Sequence, residues 1–169
     1  DNIAYVFQEP VIFNKTIMDN IKFGNKENIS EEEIIKVCRQ IGLDKKIMQL
    51  PNGYDTVIDA KSDLLSYGEK QLLSFARAIL KNADIIILDE VTSNLDLEFE
   101  ESIMKATKEI LDNKLSFVIA HRLNTIKNSD LILFIEDKKI VEMGTHDELI
   151  NQHGYYYNLY ASKENVVKI

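Results

Sequence analysis

The sequence predicts an α/β protein built around a parallel β-sheet. Ile85–Leu88 is an unbroken run of apolar β-forming residues, which is typical of a strand covered on both faces. Ser116–Ala120 (SFVIA) predicts a second strand, and an amphipathic pattern from about Leu97 to Leu111 predicts a long helix between the two. A strand, a helix and a second strand in this order indicate a parallel crossover connection.

Before this α/β part, the chain is predicted to be mostly helical after one short strand. Ile3–Phe7 (IAYVF) has the length and composition of a buried strand. Ser30 and Glu33 form the pattern S-x-x-E, a capping box that satisfies two amides at a helix N-terminus. The helix that follows carries apolar residues at helical spacing, namely Ile34, Val37, Cys38 and Ile41.

Further elements follow from turn and cap signals. A short helix over Lys45–Leu50 should end before Pro51, and a longer helix should follow Ser66 and extend to about Lys81. Near the C-terminus two strands are predicted with a turn between them, and then two helices. These elements are Leu131–Ile135, the turn Asp137-Lys138, Lys139–Glu142, His146–Asn151 and Tyr155–Tyr160. Leu131–Ile135 has the length of a buried strand.

Composition narrows the class of protein. The 169 residues are 45% hydrophobic and 28% charged, which indicates a folded globular chain. A net charge of -8 disfavours binding to nucleic acid. The single cysteine, Cys38, excludes an intramolecular disulfide and is expected to be a small buried residue. No apolar run approaches the roughly 20 residues of a membrane span. Because the chain opens without Met, we expect it to be part of a longer protein.

Two adjacent carboxylates, Asp89 and Glu90, end the most apolar strand. Ligands of open α/β sheets bind at the carboxyl ends of strands, so a magnesium-associated Asp and a catalytic Glu would lie here. On these residues alone, the alternative of two solvated acids at a strand end stays open.

Ser66 and Gly68 begin a predicted helix. A hydroxyl, unpaired backbone amides and the positive end of the helix dipole together suit an anion such as a terminal phosphate. On these residues alone, an ordinary N-cap by Ser66 is the favoured interpretation.

The order of these motifs resembles the ATPase domains of ABC transporters. Leu65–Gln71 (LSYGEKQ) is similar to the signature loop LSGGQ, Asp89-Glu90 to the Walker B carboxylates, and Ser93–Asp96 (SNLD) to the D-loop. His121 resembles the switch histidine of this family and Gln8 resembles the Q-loop glutamine. The resemblance covers essentially the whole chain, and further stretches are similar to exporters, namely Gly53–Val57, Ile119–Ile126 and Ile140–Leu149.

The resemblance implies a P-loop NTPase-like (RecA-like) parallel-sheet core, incomplete at its N-terminus, with an ABC-type α-helical subdomain. Residues 1–12 would be the Q-loop end of the truncated core, and residues 13–80 the helical subdomain with the signature loop. Residues 81–169 would complete the core with the Walker B strand, the D-loop and the C-terminal helices.

Roles for individual residues follow from the same resemblance. Glu90 would be the general base that polarises the attacking water, and Asp89 would hold Mg²⁺ directly or through water. Gln8 would reach the metal and the water and report on the membrane domain. His121 would contact the terminal phosphate and orient Glu90.

The partners are implied as well. Ser66 and Gly68 would contact the ATP of a second nucleotide-binding domain, and Asp96 would lie at the dimer interface. The expected cofactors are ATP and Mg²⁺, and the expected partners are that second domain and a transmembrane domain, with no nucleic acid. The intact protein would work at the cytoplasmic face of the cell membrane, with this fragment soluble by itself.

The sequence departs from the family pattern in four ways. No G-x-x-x-x-G-K-[ST] occurs, so we expect this chain alone to bind ATP weakly or not at all and to hydrolyse little. An incomplete sheet should expose its edges and favour oligomers or segment exchange.

Tyr67 and Glu69 stand where the family has Gly and Gln, and Asp59–Ser62 replaces a Gly-rich segment. An altered signature loop together with an intact Glu90 and His121 would fit one half of a heterodimeric exporter with unequal sites.

Two other function classes are compatible with parts of the pattern. A DNA-repair or chromosome ATPase of the SMC class shares the signature loop and the carboxylate pair. It would carry a long coiled coil between Gln8 and Ser66, where this sequence has no heptad run. A non-catalytic interaction fragment would explain the missing phosphate-binding loop.

Overall fold

The structure is a computed structural model, and it describes residues 2–25, 29–90, 114–120 and 123–166 together with positions 103, 106–108, 110 and 111. The chain divides into two compact units, Asp1–Ile119 and Ala120–Ile169. Each unit has its own hydrophobic core. The division into residues 1–12, 13–80 and 81–169 stays a prediction.

The described elements follow one another in a mixed α and β order. The first unit contains β1 (Ile3–Val6), β2 (Lys15–Thr16), α1 (Ile17–Lys22), α2 (Glu31–Gln40), α3 (Asp44–Ile47), a 3₁₀ turn (Gly53–Asp55), β3 (Val57–Ile58), α4 (Tyr67–Lys81), β4 (Ile85–Asp89) and β5 (Leu115–Ile119). The second unit contains α5 (Leu123–Ile126), β6 (Ile132–Glu136), β7 (Lys139–Gly144), α6 (His146–Gln152) and α7 (Tyr155–Val166).

The predicted parallel sheet is confirmed. Its strand order is β1-β4-β5, with β4 in the centre and both neighbours parallel to it. Val6 pairs with Leu88, and Asp89 pairs with Ile119. The three strands therefore end at one edge, and the residues that follow β1 and β4 leave the sheet side by side.

One face of this sheet is packed into the core of the first unit. The side chains of β1 and β4 that point to it are fully buried, namely Ala4, Val6, Ile86 and Leu88. They share one cluster with Leu73, Phe75 and Ala76 of α4 and with three buried positions of the predicted helix before β5, Ile103, Ala106 and Ile110. Those three positions lie at helical spacing, and the described positions between 103 and 111 are helical, as expected.

The capping box that opens α2 is present as predicted. The Glu33 amide donates to Ser30 Oγ at 3.2 Å, and the Ser30 amide donates to Glu33 Oε2 at 3.0 Å. The hydrogen bonds from Ser30 lower the pKa of the Glu33 carboxyl. α2 buries its apolar stripe, including Cys38, and this burial raises the pKa of the Cys38 thiol to about 12. Cys38 is thus the small buried residue that the sequence predicts.

The short helix predicted over Lys45–Leu50 is displaced and shortened. α3 begins at Asp44, whose carboxylate accepts from the Tyr54 hydroxyl at 2.8 Å and from Arg39 Nε at 3.2 Å. The chain then tightens into i→i+3 hydrogen bonds, such as that from the Leu50 amide to the Ile47 carbonyl at 3.0 Å. Because i→i+3 hydrogen bonds replace the α-helical ones, α3 ends at Ile47, ahead of the end that Pro51 predicts.

In the second unit the predicted strand pair is confirmed as an antiparallel hairpin. Asp137 and Lys138 form its turn with φ of +48° and +64°, the left-handed backbone that a two-residue hairpin loop requires. The expectation that Leu131–Ile135 is a buried strand is wrong, because Leu133 and Ile135 are 44% and 65% exposed. An antiparallel hairpin buries one face only, and here Ile132 lies on the buried face.

In the second unit, glutamate carboxylates accept hydrogen bonds from backbone amides at the start of two helices. Thr145 and Glu148 form a capping box at α6, with the Thr145 amide donating to Glu148 Oε2 at 2.8 Å. The Glu142 carboxylate accepts from the amides of Tyr155 and Tyr156 at the start of α7. Within the described parts of the chain, no helix has both the length and the apolar character needed to cross a membrane.

The second face of the parallel sheet is exposed and apolar. β1 presents Ile3, Tyr5 and the following Phe7 there, and β5 presents Leu115, Phe117 and Ile119, all between 39% and 59% exposed. Of the described strands, β5 pairs with β4 alone. Parallel sheets normally have both faces covered, so this exposed apolar face is expected to pack against another protein segment or another copy of the chain.

We expect the 169-residue chain to self-associate at high concentration, as light scattering would show. Phe117→Lys should shift the population toward monomer, because a charge in the middle of this face opposes its burial. Met48→Lys is the matched control, since it charges a residue that is 64% exposed on another surface. A wild-type chain that stays monomeric, or an equal effect of both variants, would contradict the expectation.

Candidate functional site

The candidate site lies where β1 and β4 end at the shared edge of the sheet. Gln8 follows β1 by two residues, and Glu90 directly follows β4. Gln8 Nε2 donates to Glu90 Oε2 at 3.1 Å, although the two residues are 82 positions apart. The parallel register of Val6 with Leu88 places them together. Two of the residues that the sequence singled out are therefore in direct contact.

Glu90 has an unusual backbone. Its φ is +47°, a left-handed conformation that non-glycine residues rarely adopt. Its amide donates to the Ile119 carbonyl of β5 at 2.9 Å, so the sheet holds the strained residue in place. Such conformations cost of order 1–3 kcal/mol and concentrate at functional sites. The backbone turn directs a half-buried carboxylate toward Gln8.

Asp89 is oriented by a residue that the sequence did not single out. The Tyr5 hydroxyl donates to Asp89 Oδ2 at 3.0 Å, and this bond raises the pKa of Tyr5 because it favours the protonated hydroxyl. Tyr5 pairs with Ile87, which shares a sheet face with Asp89, so strand alternation brings the two side chains together. The register of β1 on β4 was needed to find this contact.

The oxygen atoms at this edge fit Mg²⁺. Magnesium prefers carboxylate oxygens and commonly takes one or two of them, keeping water and substrate phosphates as its other ligands. Asp89 supplies such a carboxylate, and one hydrogen bond from Tyr5 does not exhaust its acceptor sites. In the described residues, no group of three or more acidic, His or Cys side chains forms a complete metal cage. This edge therefore suits a magnesium site in which the protein supplies one or two ligands and water and substrate phosphates supply the rest.

Ser66 caps α4, as its simpler interpretation predicts. The Glu69 amide donates to Ser66 Oγ at 3.3 Å, and the Ser66 amide donates to Glu69 Oε2 at 2.7 Å, which completes a capping box. Glu69 Oε1 also lies 3.8 Å from Lys46 Nζ. The negative charge that Glu69 adds in place of Gln is therefore partly compensated within the chain. Gly68 is buried in the first turn of α4.

α4 also holds the backbone that leads to Gln8. The Tyr67 hydroxyl donates to the Gln8 carbonyl at 2.5 Å, and Gln71 Nε2 donates to the Phe7 carbonyl at 3.0 Å. Gln71 is fully buried. Neither contact was expected from the sequence, where Tyr67 stood out only as a departure from Gly. The spacing of Tyr67 and Gln71, four residues apart on one helix face, was the feature of the sequence that could have indicated them.

Arg77 has a structural role, because it holds backbone and side-chain oxygens of the segment from Val11 to Asn20. Its guanidinium donates to the carbonyls of Val11 and Asn20 and, at 2.9 Å, to Asn20 Oδ1. It also lies 5.4 Å from the centre of the Phe13 ring. Burial lowers the pKa of Arg77 to about 10, so it stays protonated at neutral pH. Five donors in a planar fork explain why Arg suits three oxygen acceptors at once.

Two of the predicted site residues, Asp96 and His121, lie outside the described residues. Their roles stay predictions. The structure thus brings together Gln8, Asp89 and Glu90 at the sheet edge, and it connects α4 to the same edge.

A family model for ABC transporters matches residues 1–93, more than half of the chain. The chain therefore belongs to the ABC transporter family.

Individual relatives are similar over nearly the whole chain. A putative ABC transporter ATP-binding protein of Mycoplasma pneumoniae is 43% identical over 162 residues, covering 96% of this chain and 25% of the relative. An ATP-dependent lipid A-core flippase of Acinetobacter baylyi is 44% identical, covering 94% of this chain and 28% of that protein. The multidrug resistance protein pgp-1 of Caenorhabditis elegans is 42% identical, covering 96% and 12%. The chain spans only 12% to 28% of the length of these three relatives.

The fold is shared with a solved exporter. The structure of a bacterial Atm1-family ABC exporter with ATP bound matches with a TM-score of 0.85 and 34% identity, over 96% of this chain and 28% of that one. The predicted fold class is thereby confirmed: an α/β chain with a parallel sheet, part of the P-loop NTPase fold of an exporter nucleotide-binding domain.

Replacing Arg77 should destabilise the first unit. Arg77→Met removes the donor to the carbonyls of Val11 and Asn20 and one of the two donors to Asn20 Oδ1, and we expect a loss of about 2–4 kcal/mol in the free energy of unfolding by urea. Arg39→Met is the control, since Arg39 is 70% exposed and its pair with Asp44 is worth at most about 1 kcal/mol. Equal losses in the two variants would contradict the role assigned to Arg77.

Proposed function

We propose that this chain is part of the ATP-binding and ATP-hydrolysing subunit that powers transport across the membrane in an ABC exporter. The contact between Gln8 and Glu90, beside Asp89 at the carboxyl edge of a parallel sheet, is the observation that carries the proposal. Membership of the ABC transporter family supports it. Nearly equal identity to a lipid A-core flippase and to a multidrug resistance protein supports export without assigning a substrate.

In this proposal Glu90 is the general base. Its carboxylate accepts a proton from the attacking water, and the Gln8 amide, 3.1 Å away, orients both the carboxylate and the water. Asp89 holds Mg²⁺, with Tyr5 fixing the direction of its carboxylate. Bound magnesium would neutralise charge that develops on the phosphates. His121 contacts the terminal phosphate and orients Glu90.

Two nucleotide-binding domains would complete the ATP sites. We propose that Ser66 and Gly68, at the N-terminus of α4, contact the ATP of a second such domain. Asp96 lies at the interface between the two in this arrangement. The other proposed partner is the transmembrane domain, and the assembly works at the cytoplasmic face of the membrane. Residues 13–80 act as the helical subdomain that carries the signature loop.

The test is ATP hydrolysis by the intact protein with Glu90→Gln. We expect the rate to fall by a factor of about 100 or more, because a carboxamide cannot accept the proton, while ATP binding persists. Glu136→Gln is the matched control, because Glu136 also ends a strand, β6, and belongs to the second unit. Unchanged hydrolysis in Glu90→Gln would refute the general-base role.

Nucleotide binding separates the chain from the whole subunit. We expect the 169-residue chain to bind ATP weakly or not at all, whereas a version extended upstream through a phosphate-binding loop binds it with Mg²⁺. Equilibrium dialysis with labelled ATP measures both. Tight binding by the 169 residues alone would show that the described edge suffices for the nucleotide.

A further inference from the structure

Three side chains of α4 donate hydrogen bonds to backbone carbonyls of the segment that follows β1. Tyr67 donates to Gln8, Gln71 donates to Phe7, and Arg77 donates to Val11. These contacts join residues 59 to 66 positions apart. The segment from Phe7 to Val11 is therefore attached to α4 along about three turns of the helix.

The attachment matters most at Gln8. β1 ends at Val6, so the hydrogen bonds of the sheet do not fix the backbone of Gln8. Tyr67 and Gln71 are four residues apart and lie on one face of α4, and they hold two successive carbonyls. Once the carbonyls of Phe7 and Gln8 are fixed, the direction of the Gln8 side chain toward Glu90 is restricted as well.

We propose that Tyr67 is a positioning residue: its hydroxyl fixes the backbone of Gln8 so that the Gln8 amide meets the Glu90 carboxylate. The contacts run from Tyr67 to the Gln8 carbonyl at 2.5 Å and from the Gln8 amide to Glu90 at 3.1 Å. This deepens the proposed function and rests on it, because Glu90 gains its importance from hydrolysis. Tyr67 therefore acts within its own chain, at the helix that also carries Ser66 and Gly68.

The hydroxyl is in the state that this role needs. Burial, and then the charge of Glu9, raise the pKa of Tyr67 above its ordinary value, so the group stays protonated and donates at neutral and mildly alkaline pH. A Gly at position 67 would provide no side-chain donor. Tyr67, which departs from the Gly of the family pattern, thus makes a contact that Gly could not make.

The first test is a double-mutant cycle on ATP hydrolysis by the intact protein. Tyr67→Phe keeps the ring and removes the donor, and we expect kcat to fall about 2- to 12-fold, as for one neutral hydrogen bond, with KM for ATP unchanged. In a Gln8→Ala background, the same change should have no further effect. A change in KM alone, or defects that multiply, would overturn the proposal.

The second test does not depend on hydrolysis. The chain has five glutamines, so the side-chain amides of ¹⁵N-glutamine in the 169-residue chain give a simple NMR spectrum, in which Gln8→Ala identifies the Gln8 signal. Tyr67→Phe should shift or broaden that signal and leave Gln152 unchanged. Tyr155→Phe, which removes a tyrosine hydroxyl from the second unit, is the control and should leave Gln8 unchanged.

The two tests separate the two claims. If the Gln8 signal responds to Tyr67→Phe but the intact wild-type protein hydrolyses no ATP, the positioning holds and the proposed function fails. If the protein hydrolyses ATP through Glu90 but the Gln8 signal does not respond, the positioning role of Tyr67 is wrong. A Gln8 signal that responds equally to Tyr155→Phe also refutes that role.

Discussion

The parallel pairing of β1 with β4 is the constraint on which the candidate site depends. Because Val6 lies opposite Leu88, the chain leaves both strands at the same edge, and Gln8 meets Glu90 there. The pairing itself is stabilised by the buried face of the sheet, where alternate residues of both strands are packed into one core. A slip of one residue would turn those side chains to solvent and separate the polar pair as well.

α4 adds a second constraint, which connects the helical part of the first unit to this edge. Its N-terminus carries the capping box of Ser66 and Glu69, and its side chains hold carbonyls of the segment after β1. A displacement of α4 would therefore disturb the backbone of Gln8. Such a connection gives a physical route by which α4 and the proposed general base influence each other.

Local features were predictable from the sequence, and long-range contacts were not. The capping box of Ser30 with Glu33 and the strand Ile85–Leu88 depend on neighbouring residues, so pattern alone predicted them. The same S-x-x-E pattern is present at Ser66, where the sequence predicted an N-cap and the structure has a full capping box with Glu69. The bond from Tyr5 to Asp89 joins residues 84 positions apart and exists only in the observed register.

The resemblance supplied the family and the residue roles, whereas the geometry supplied the connections between them. Whether Gln8 and Glu90 act as a unit is the central claim, and hydrolysis by the intact protein in Gln8→Ala, Glu90→Gln and the double variant tests it most directly. If Gln8 works through Glu90, the double variant hydrolyses ATP no more slowly than Glu90→Gln alone. Defects that multiply would show that the two residues act independently and would contradict the account.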